Sequence, residues 1–203
     1  MRRLAPFTLA LLLLVTSCRM SQSVAPIVTR NVLEERVQAM LHGHRHPEAP
    51  GAIRSIGAHR LGAWLVVDVR LQHPVPAGFD YYLLLNTDQN SMTGYGAGAN
   101  TGHGAGSDYW VAGFADWPGG DPDAIYDYTS GSSAGVTGHA RHSVHGNSLL
   151  IMVPLSAIGN DDGNLTLWLG TTVNGEFIDD AGADSGDRVR DPDRPRVGGD
   201  LPS

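Results

Sequence analysis

The sequence predicts an all-β protein, an antiparallel sandwich or barrel, with one short helix near its N-terminus. Apolar and polar residues alternate in segments such as WLVVDVRL at residues 64–71, with the period of a half-buried strand. Roughly seven or eight strand-like segments are separated by turn residues rather than helices. The 26 glycines and 12 prolines among 203 residues also favour a loop-rich β protein.

The net charge of the chain limits the classes of molecule that it is expected to bind. The chain has 21 acidic and 14 basic residues, and its formal net charge is −7. Nucleic acid is not an expected partner, because a phosphate-binding surface needs clustered positive charge.

Residues 1–17 have the pattern of a signal peptide. Arg2 and Arg3 precede the apolar run LAPFTLALLLLV, which is too short to span a bilayer comfortably. The next segment, VTSC at residues 15–18, resembles the lipobox of bacterial lipoproteins. That resemblance implies cleavage before Cys18 and attachment of diacylglycerol and palmitate to this cysteine, the only one in the chain. An ordinary cleaved signal is the alternative.

Lipidation would place the protein in the bacterial cell envelope, outside the cytoplasm and anchored to a membrane by its acyl chains. Arg19, directly after the cysteine, favours the outer membrane in a Gram-negative cell. Since a lone lipidated cysteine cannot form a disulfide, stability must come from the core or from bound metal.

Residues 18–50 are predicted to form a lipidated tether, a short helix and a linker. The helix is expected within TRNVLEERVQAMLHG, at residues 29–43, because its apolar residues recur at helical spacing. We expect it to pack on the domain or on a partner near the membrane. In the linker, His42, His44 and His46 could bind a transition metal, but a solvated connector is the preferred interpretation.

Residues 51–186 are predicted to form a β-sandwich binding domain. After residue 71 its strands are expected in FDYYLLLNT, SDYWVAGFA, AIYDYTS and LTLWLGTTV, and in a hairpin that turns at residues 145–147. GSSAG at residues 131–135 matches a serine-hydrolase pattern, but no helical period follows it, so we do not expect an enzyme. Residues 187–203 balance acids and arginines without apolar period and are predicted to be a disordered tail.

A structural calcium site is predicted where the strand FDYYLLLNT ends. Asn86, Asp88 and Asn90 alternate there, so an extended chain would point all three to one side, and oxygen ligands suit calcium. Asp108 begins the next strand, and Asp179 or Asp180 could join the same rim. Alternatively, these short side chains only cap a turn by bonding to their own backbone. The next segment, residues 94–106, has six glycines and is predicted to be mobile.

Four segments resemble the DOMON-like superfamily of β-sandwiches, and within it domains related to family-nine carbohydrate-binding modules. They are YYLLLNTDQNSMTGY, GAGSDYW, NSLLIMVPLSAIGNDDGNLTLWLG and FIDDAGADSGD, within residues 50–187. The chain departs from the family at Asn86, where the pattern has aspartate, and at Gly182 or Ala183, where it has proline. The resemblance implies a jelly-roll-like sandwich that binds sugar, haem or metal, or has no known ligand.

The predicted function is a non-catalytic binding module on an exported lipoprotein, with carbohydrate as the leading ligand class. Sugars stack on exposed aromatic faces, and Trp117 in the loop FADWPGGDPD is the first candidate. Trp110 and Tyr95 are supporting candidates, whereas Trp64 and Trp168 are expected in the core. The alternative is a structural lipoprotein that binds a cell-envelope protein and no small ligand.

Overall fold

A computed structural model describes residues 32–38, 42–97, 106–114, 120–161 and 165–182. Several predictions concern residues outside these ranges: the signal peptide at residues 1–17, the lipidated Cys18 and the tether that follows it, the loop residue Trp117, the central part of the glycine loop at 98–105, and the tail at 187–203.

The described residues form two antiparallel sheets that pack together, which confirms the predicted all-β sandwich. One sheet has four strands in the order β1-β2-β8-β7, and the other has six in the order β10-β9-β3-β4-β5-β6. In chain order the strands are β1 (Ile53–Leu61), β2 (Trp64–Leu71), β3 (Phe79–Asn86), β4 (Tyr109–Ala112), β5 (Ala124–Asp127), β6 (Gly135–His139), β7 (Arg141–His145), β8 (Ser148–Pro154), β9 (Thr166–Val173) and β10 (Glu176–Gly182).

The main core lies between the sheets. In β2, Leu65, Val67, Val69 and Leu71 all face this core, as their alternation predicts. Each fully buried aliphatic side chain of this kind stabilises the fold by about 1.5–3 kcal/mol relative to an exposed one. The opposing sheet supplies the other half of the core through the odd-numbered residues of β3.

A second apolar layer covers the outer face of the six-stranded sheet. A helix at residues 32–38, α1, lies on this face, and its Leu33 and Val37 are fully buried. They pack in one cluster with Tyr82 and Leu84 of β3. The amphipathic segment therefore packs on its own domain, which decides between the two positions that the sequence allowed.

Helical structure is otherwise limited in the described ranges to a 3₁₀ turn at Leu155–Ile158. It ends at Gly159, which has φ 75° and thus takes the left-handed conformation that glycine accepts most readily. Across the described ranges, no helix combines the length and apolar character needed to cross a bilayer.

The predicted hairpin that turns at residues 145–147 is confirmed, since β7 and β8 pair as antiparallel neighbours on either side of this turn. The same segment also contains a third strand, β6, which the sequence did not predict. The chain leaves the six-stranded sheet after β6, turns at Ala140, and enters the four-stranded sheet as β7. Ala140 is 5% exposed, and its N–H donates to the carbonyl oxygen of Asp123 at 2.8 Å. This buried corner joins the two sheets at one side of the sandwich.

Candidate binding face and rim

The end of β3 meets the start of β4 at a rim of the sandwich. The carboxylate of Asp108 lies beside the turn after β3, where its Oδ2 accepts hydrogen bonds from Thr87 N at 2.8 Å and Thr87 Oγ1 at 2.9 Å. The same oxygen accepts from Asp88 N at 3.3 Å. Asp108 therefore holds the chain where β3 ends.

The alternating residues of this turn bond to nearby groups of the same turn. Asp88 Oδ1 accepts from Asn90 N at 2.8 Å, and Asp88 Oδ2 accepts from Thr93 Oγ1 at 2.7 Å. Asn90 Oδ1 accepts from Met92 N at 3.0 Å. These are the contacts of a capped Asx turn, the alternative that the sequence left open.

Calcium at this rim stays a prediction of the sequence. An ion would have to take carboxylate oxygens that already accept hydrogen bonds from Thr87, Asn90 and Thr93. Within the described part of the chain, no cluster of three or more His, Cys, Asp and Glu side chains has a geometry that could hold a metal ion.

Asp179 and Asp180 do not join this rim, so that part of the prediction is wrong. Asp180 pairs in register with Gly170, which is opposite Tyr82 on β3, whereas the rim begins at Asn86. Four residues at a rise of roughly 3.3 Å separate the two positions by about 13 Å along the strand. Strand register, which the sequence does not reveal, decides this distance.

The two aspartates instead attach the linker to the sandwich. Asp179 accepts hydrogen bonds from Ile53 N and from Asp180 N, both at 2.9 Å. Asp180 accepts from Trp168 Nε1 at 2.9 Å and forms an ion pair with Arg45. The hydrogen bond to Asp180 is the main reason that the pKa of Arg45 lies above its ordinary value.

The two ends of the glycine loop are joined by backbone pairing. Tyr95 N donates to Ser107 O at 2.9 Å, and Gly106 N donates to Tyr95 O at 2.8 Å. Gly94 has φ +67°, and a Cβ there would lie 2.6 Å from Ser107 O. Glycine is thus required at Gly94 by both conformation and close approach.

Trp110 is not an exposed stacking surface, contrary to the sequence-based expectation. It is 1% exposed, and its ring stacks on Tyr128 with centroids 4.0 Å apart. Tyr95 adds an edge contact at 4.5 Å. The reason is that β4 lies inside the six-stranded sheet, beneath the layer that α1 forms. Tyr95 is half-buried, and its hydroxyl accepts from Gln38 Nε2 at 2.7 Å.

The other two described tryptophans differ from each other. Trp168 is 4% exposed, as expected, although it belongs to the outer layer rather than the inter-sheet core. Trp64 is half-exposed on the outer face of the four-stranded sheet, so the expectation of a core position is wrong. The guanidinium of Arg141 lies 5.1 Å from the centre of its ring.

The outer face of the six-stranded sheet combines large and small side chains in adjacent rows. Register places one row of large residues across β9, β3, β4 and β5, namely Trp168, Leu84, Trp110 and Tyr126. The neighbouring row consists of Gly170, Tyr82, Ala112 and Ala124, of which all but the tyrosine are small. The buried side chains of α1, Leu33 and Val37, belong to the same apolar cluster as members of both rows.

Three buried polar atoms have no hydrogen-bond partner within the described ranges: Asn86 Oδ1, Trp110 Nε1 and Thr172 Oγ1. Strand alternation places all three residues on the outer face of the six-stranded sheet, in phase with Tyr82 and Leu84. Leaving such a group buried and unsatisfied costs about 1–3 kcal/mol. The sequence could not identify them, because a missing partner is a property of the packed fold.

The Tyr82 hydroxyl on this face is a hydrogen-bond donor. Burial raises the pKa of Tyr82, the nearby Asp80 raises it further, and Arg36 partly opposes this. Asp80 is 2% exposed and accepts from the Tyr82 hydroxyl at 3.3 Å and from Phe114 N at 2.9 Å. The face therefore contains both hydroxyl donors and a buried carboxylate acceptor.

A second polar cluster lies where β6 passes into β7. His142 Nδ1 is 2.7 Å from Asp123 Oδ1, and the Tyr81 hydroxyl donates to the same oxygen at 3.0 Å. Burial, followed by the charge of Asp123, raises the pKa of Tyr81 well above its ordinary value. His139 and His145 are exposed, whereas His142 is half-buried and links the two sheets.

Comparison with known proteins adds no relative: no protein-family model, curated protein or solved structure matches this chain.

Proposed function

We propose that the protein is an exported lipoprotein, held at a bacterial membrane by lipid on Cys18, whose sandwich is a non-catalytic binding module. The anchor rests on the lipobox-like VTSC and its single cysteine. Binding rests on the outer face of the six-stranded sheet. Carbohydrate is the ligand class that fits this face best.

The observation that carries the binding proposal is the coincidence of aromatic rings and unsatisfied polar atoms on one face. Trp110 and Thr172 are at least 97% buried, yet Trp110 Nε1 and Thr172 Oγ1 lack partners in the described part of the chain. Sugars need apolar ring faces beside a few placed donors and acceptors. A glycan that lies along this face would offer hydroxyls to both atoms.

The binding proposal is tested by retention of the full-length protein, purified in detergent, on a set of immobilised neutral polysaccharides. We expect retention on at least one of them, and weaker retention of Thr172→Val, which removes only the hydroxyl and keeps the shape. Retention that Thr172→Val leaves unchanged and Trp117→Ala abolishes would move the site to the loop that contains Trp117. Retention on none would refute the carbohydrate proposal.

The anchor is tested separately by metabolic labelling with a fatty acid. Wild type should incorporate the label, and Cys18→Ser should remain an unlabelled precursor, because no other thiol is present. Label in the Cys18→Ser protein would refute lipidation at this position.

A second candidate, a lipoprotein that binds a cell-envelope protein, is supported by the outer face of the four-stranded sheet. Neighbouring strands there expose an apolar strip in which Trp64, Leu150 and Met152 are half-exposed and Leu61 is 57% exposed. A photo-crosslinking residue at Met152 should capture a defined protein in intact cells. The same residue at Ser55, on the polar part of this face, is the control.

A further inference from the structure

The described residues of α1, 32–38, contact the sheet face through a small set of side chains. Two of its side chains, Leu33 and Val37, are fully buried against the sheet. Its face away from the sheet includes Glu35, which is exposed.

Three side chains of α1 exchange hydrogen bonds with phenol hydroxyls. Gln38 Nε2 donates to the Tyr95 hydroxyl at 2.7 Å, and Arg36 Nη1 donates to the Tyr82 hydroxyl at 3.4 Å. The Tyr128 hydroxyl donates to Glu34 Oε1 at 3.2 Å. Phenol hydroxyls are also groups with which a bound sugar would exchange hydrogen bonds, so helix and sugar would compete for the same partners.

The helix leaves the deeper polar atoms of the face unsatisfied. Trp110 Nε1 lies in the row of Leu84, and Thr172 Oγ1 lies in the row of Asp80. These rows are four residues apart along β3, about 13 Å at the usual strand rise of roughly 3.3 Å. Two unsatisfied atoms at this separation fit an extended ligand better than a compact one.

The charge of the face narrows the ligand class. Asp80 and Asp180 are buried on it, at 2% and 7% exposure, and Asp180 is paired with Arg45. A buried carboxylate such as that of Asp80 disfavours an acidic glycan, since like charges in a dry site repel strongly. The linker that follows α1 joins it to β1 at Ile53, and Arg45 of this linker is ion-paired with Asp180, so the helix stays close to the face even when it is displaced.

We infer that α1 is a tethered cover over the binding face, and that a neutral, extended oligosaccharide must displace it to reach Trp110 and Thr172. This inference rests on the proposed function and adds a form of regulation to it. Only molecules in which α1 is displaced can bind, so the apparent affinity is the intrinsic affinity multiplied by the fraction of open molecules. Any change that weakens α1 alone therefore raises apparent affinity.

The experiment measures affinity by titration calorimetry with soluble oligosaccharides of cellulose, chitin, mannan and xylan. The full-length chain in detergent is compared with Leu33→Ala/Val37→Ala, which removes the buried contacts of α1. We expect this variant to bind one of these probes about tenfold more tightly or better. Glu35→Ala, a change on the exposed side of the same helix, is the matched control and should leave affinity unchanged.

A milder variant controls for the possibility that the double variant fails to fold. Gln38→Ala removes only the contact to Tyr95 and should raise affinity by a few fold, with a melting curve like that of wild type. Amide exchange supplies an independent measurement: saturation of wild type with the bound probe should increase exchange in residues 32–38. Thr172→Val should lower the affinity for the probe both in wild type and in the Leu33→Ala/Val37→Ala background.

The outcomes separate the two proposals. If wild type, Gln38→Ala and the double variant bind one probe equally, the cover is refuted and the carbohydrate-binding module stands. If none of the three binds any probe, the carbohydrate proposal fails, and the cover fails with it. If saturation with a bound probe slows exchange in residues 32–38, the helix is part of the closed complex, and the cover is refuted.

Discussion

The two outer faces of the sandwich differ in how the chain completes them. The outer face of the six-stranded sheet is covered by α1, so β3 is buried on both sides from Phe79 to Leu85. The outer face of the four-stranded sheet has no such cover among the described residues, and β8 alternates between buried and half-buried positions. Yet both strands, FDYYLLLN and SLLIMVP, are mostly apolar in sequence.

The two outer faces also differ in where their polar groups lie. On the uncovered outer face of the four-stranded sheet, polar groups lie near the surface, as in the contact between His59 and the exposed Asp68 at 3.5 Å. On the covered face, polar atoms such as Trp110 Nε1 are buried and left unsatisfied in the described part of the chain. A face that only supports the fold would not be expected to keep them, since each one lowers stability. The covered face is therefore the better candidate for binding.

The largest expected effect comes from equal truncations on the two faces. Leu84→Ala removes a side chain that is 1% exposed beneath α1, and should lower the free energy of unfolding by about 2–5 kcal/mol. Leu150→Ala, on the half-exposed face of β8, should cost less than about 1.5 kcal/mol. Urea denaturation of both variants measures the comparison. Equal losses would mean that α1 does not bury the outer face in solution.

A smaller effect is expected from two aspartates, one on each outer face. Asp180→Ala leaves the buried Trp168 Nε1 without its 2.9 Å acceptor and removes the Arg45 ion pair, and should cost about 1–3 kcal/mol. Asp68→Ala is the control: its side chain is 59% exposed, and the loss should stay within about 0.5 kcal/mol. Denaturant midpoints measure both. If the two variants lose the same stability, Asp180 does not hold the linker and Trp168 in place.

The free energy of unfolding at alkaline pH tests whether Tyr82 is buried on the face that α1 covers. The folded pKa of Tyr82 lies above its ordinary value, so the unfolded chain loses this proton first. The stabilisation is complete below about pH 10 and is lost as pH rises toward the folded pKa, by about 1.4 kcal/mol per pH unit for each such tyrosine. Tyr82→Phe should make the decline above pH 10 shallower by about this amount. An unchanged slope in urea titrations would show that Tyr82 is accessible to water.

The smallest effect is expected from calcium at the rim. The sequence predicts that calcium raises the melting temperature. The hydrogen bonds that the oxygens of Asp88 and Asp108 already accept favour the opposite outcome, in which the melting curves in calcium and in EDTA coincide. A higher melting temperature in calcium, erased in Asp88→Ala/Asp108→Ala, would instead establish the metal site. Asp68→Ala, which lies on the other sheet, is the control for a general effect of charge.

The sequence by itself determined the local structure. The alternation in WLVVDVRL placed Leu65 and Val67 on the core side of β2, because successive strand residues point to opposite faces. The spacing of Leu33 and Val37 marked an amphipathic helix for a similar reason, since residues four apart share one side of a helix. The turn residues after β3 were also identified, because Asx capping is a property of neighbouring residues.

Tertiary structure decided everything that depends on distant segments. The register between β3, β9 and β10 places Asp180 away from the rim. The buried corner at Ala140 places β6 and β7 in different sheets, whereas the predicted hairpin of β7 and β8 formed as expected. The docking of α1 buried Trp110, which the pattern alone had made a surface candidate. Local periodicity fixes which side chains share a face, but only long-range packing decides whether that face meets water, another sheet or a helix.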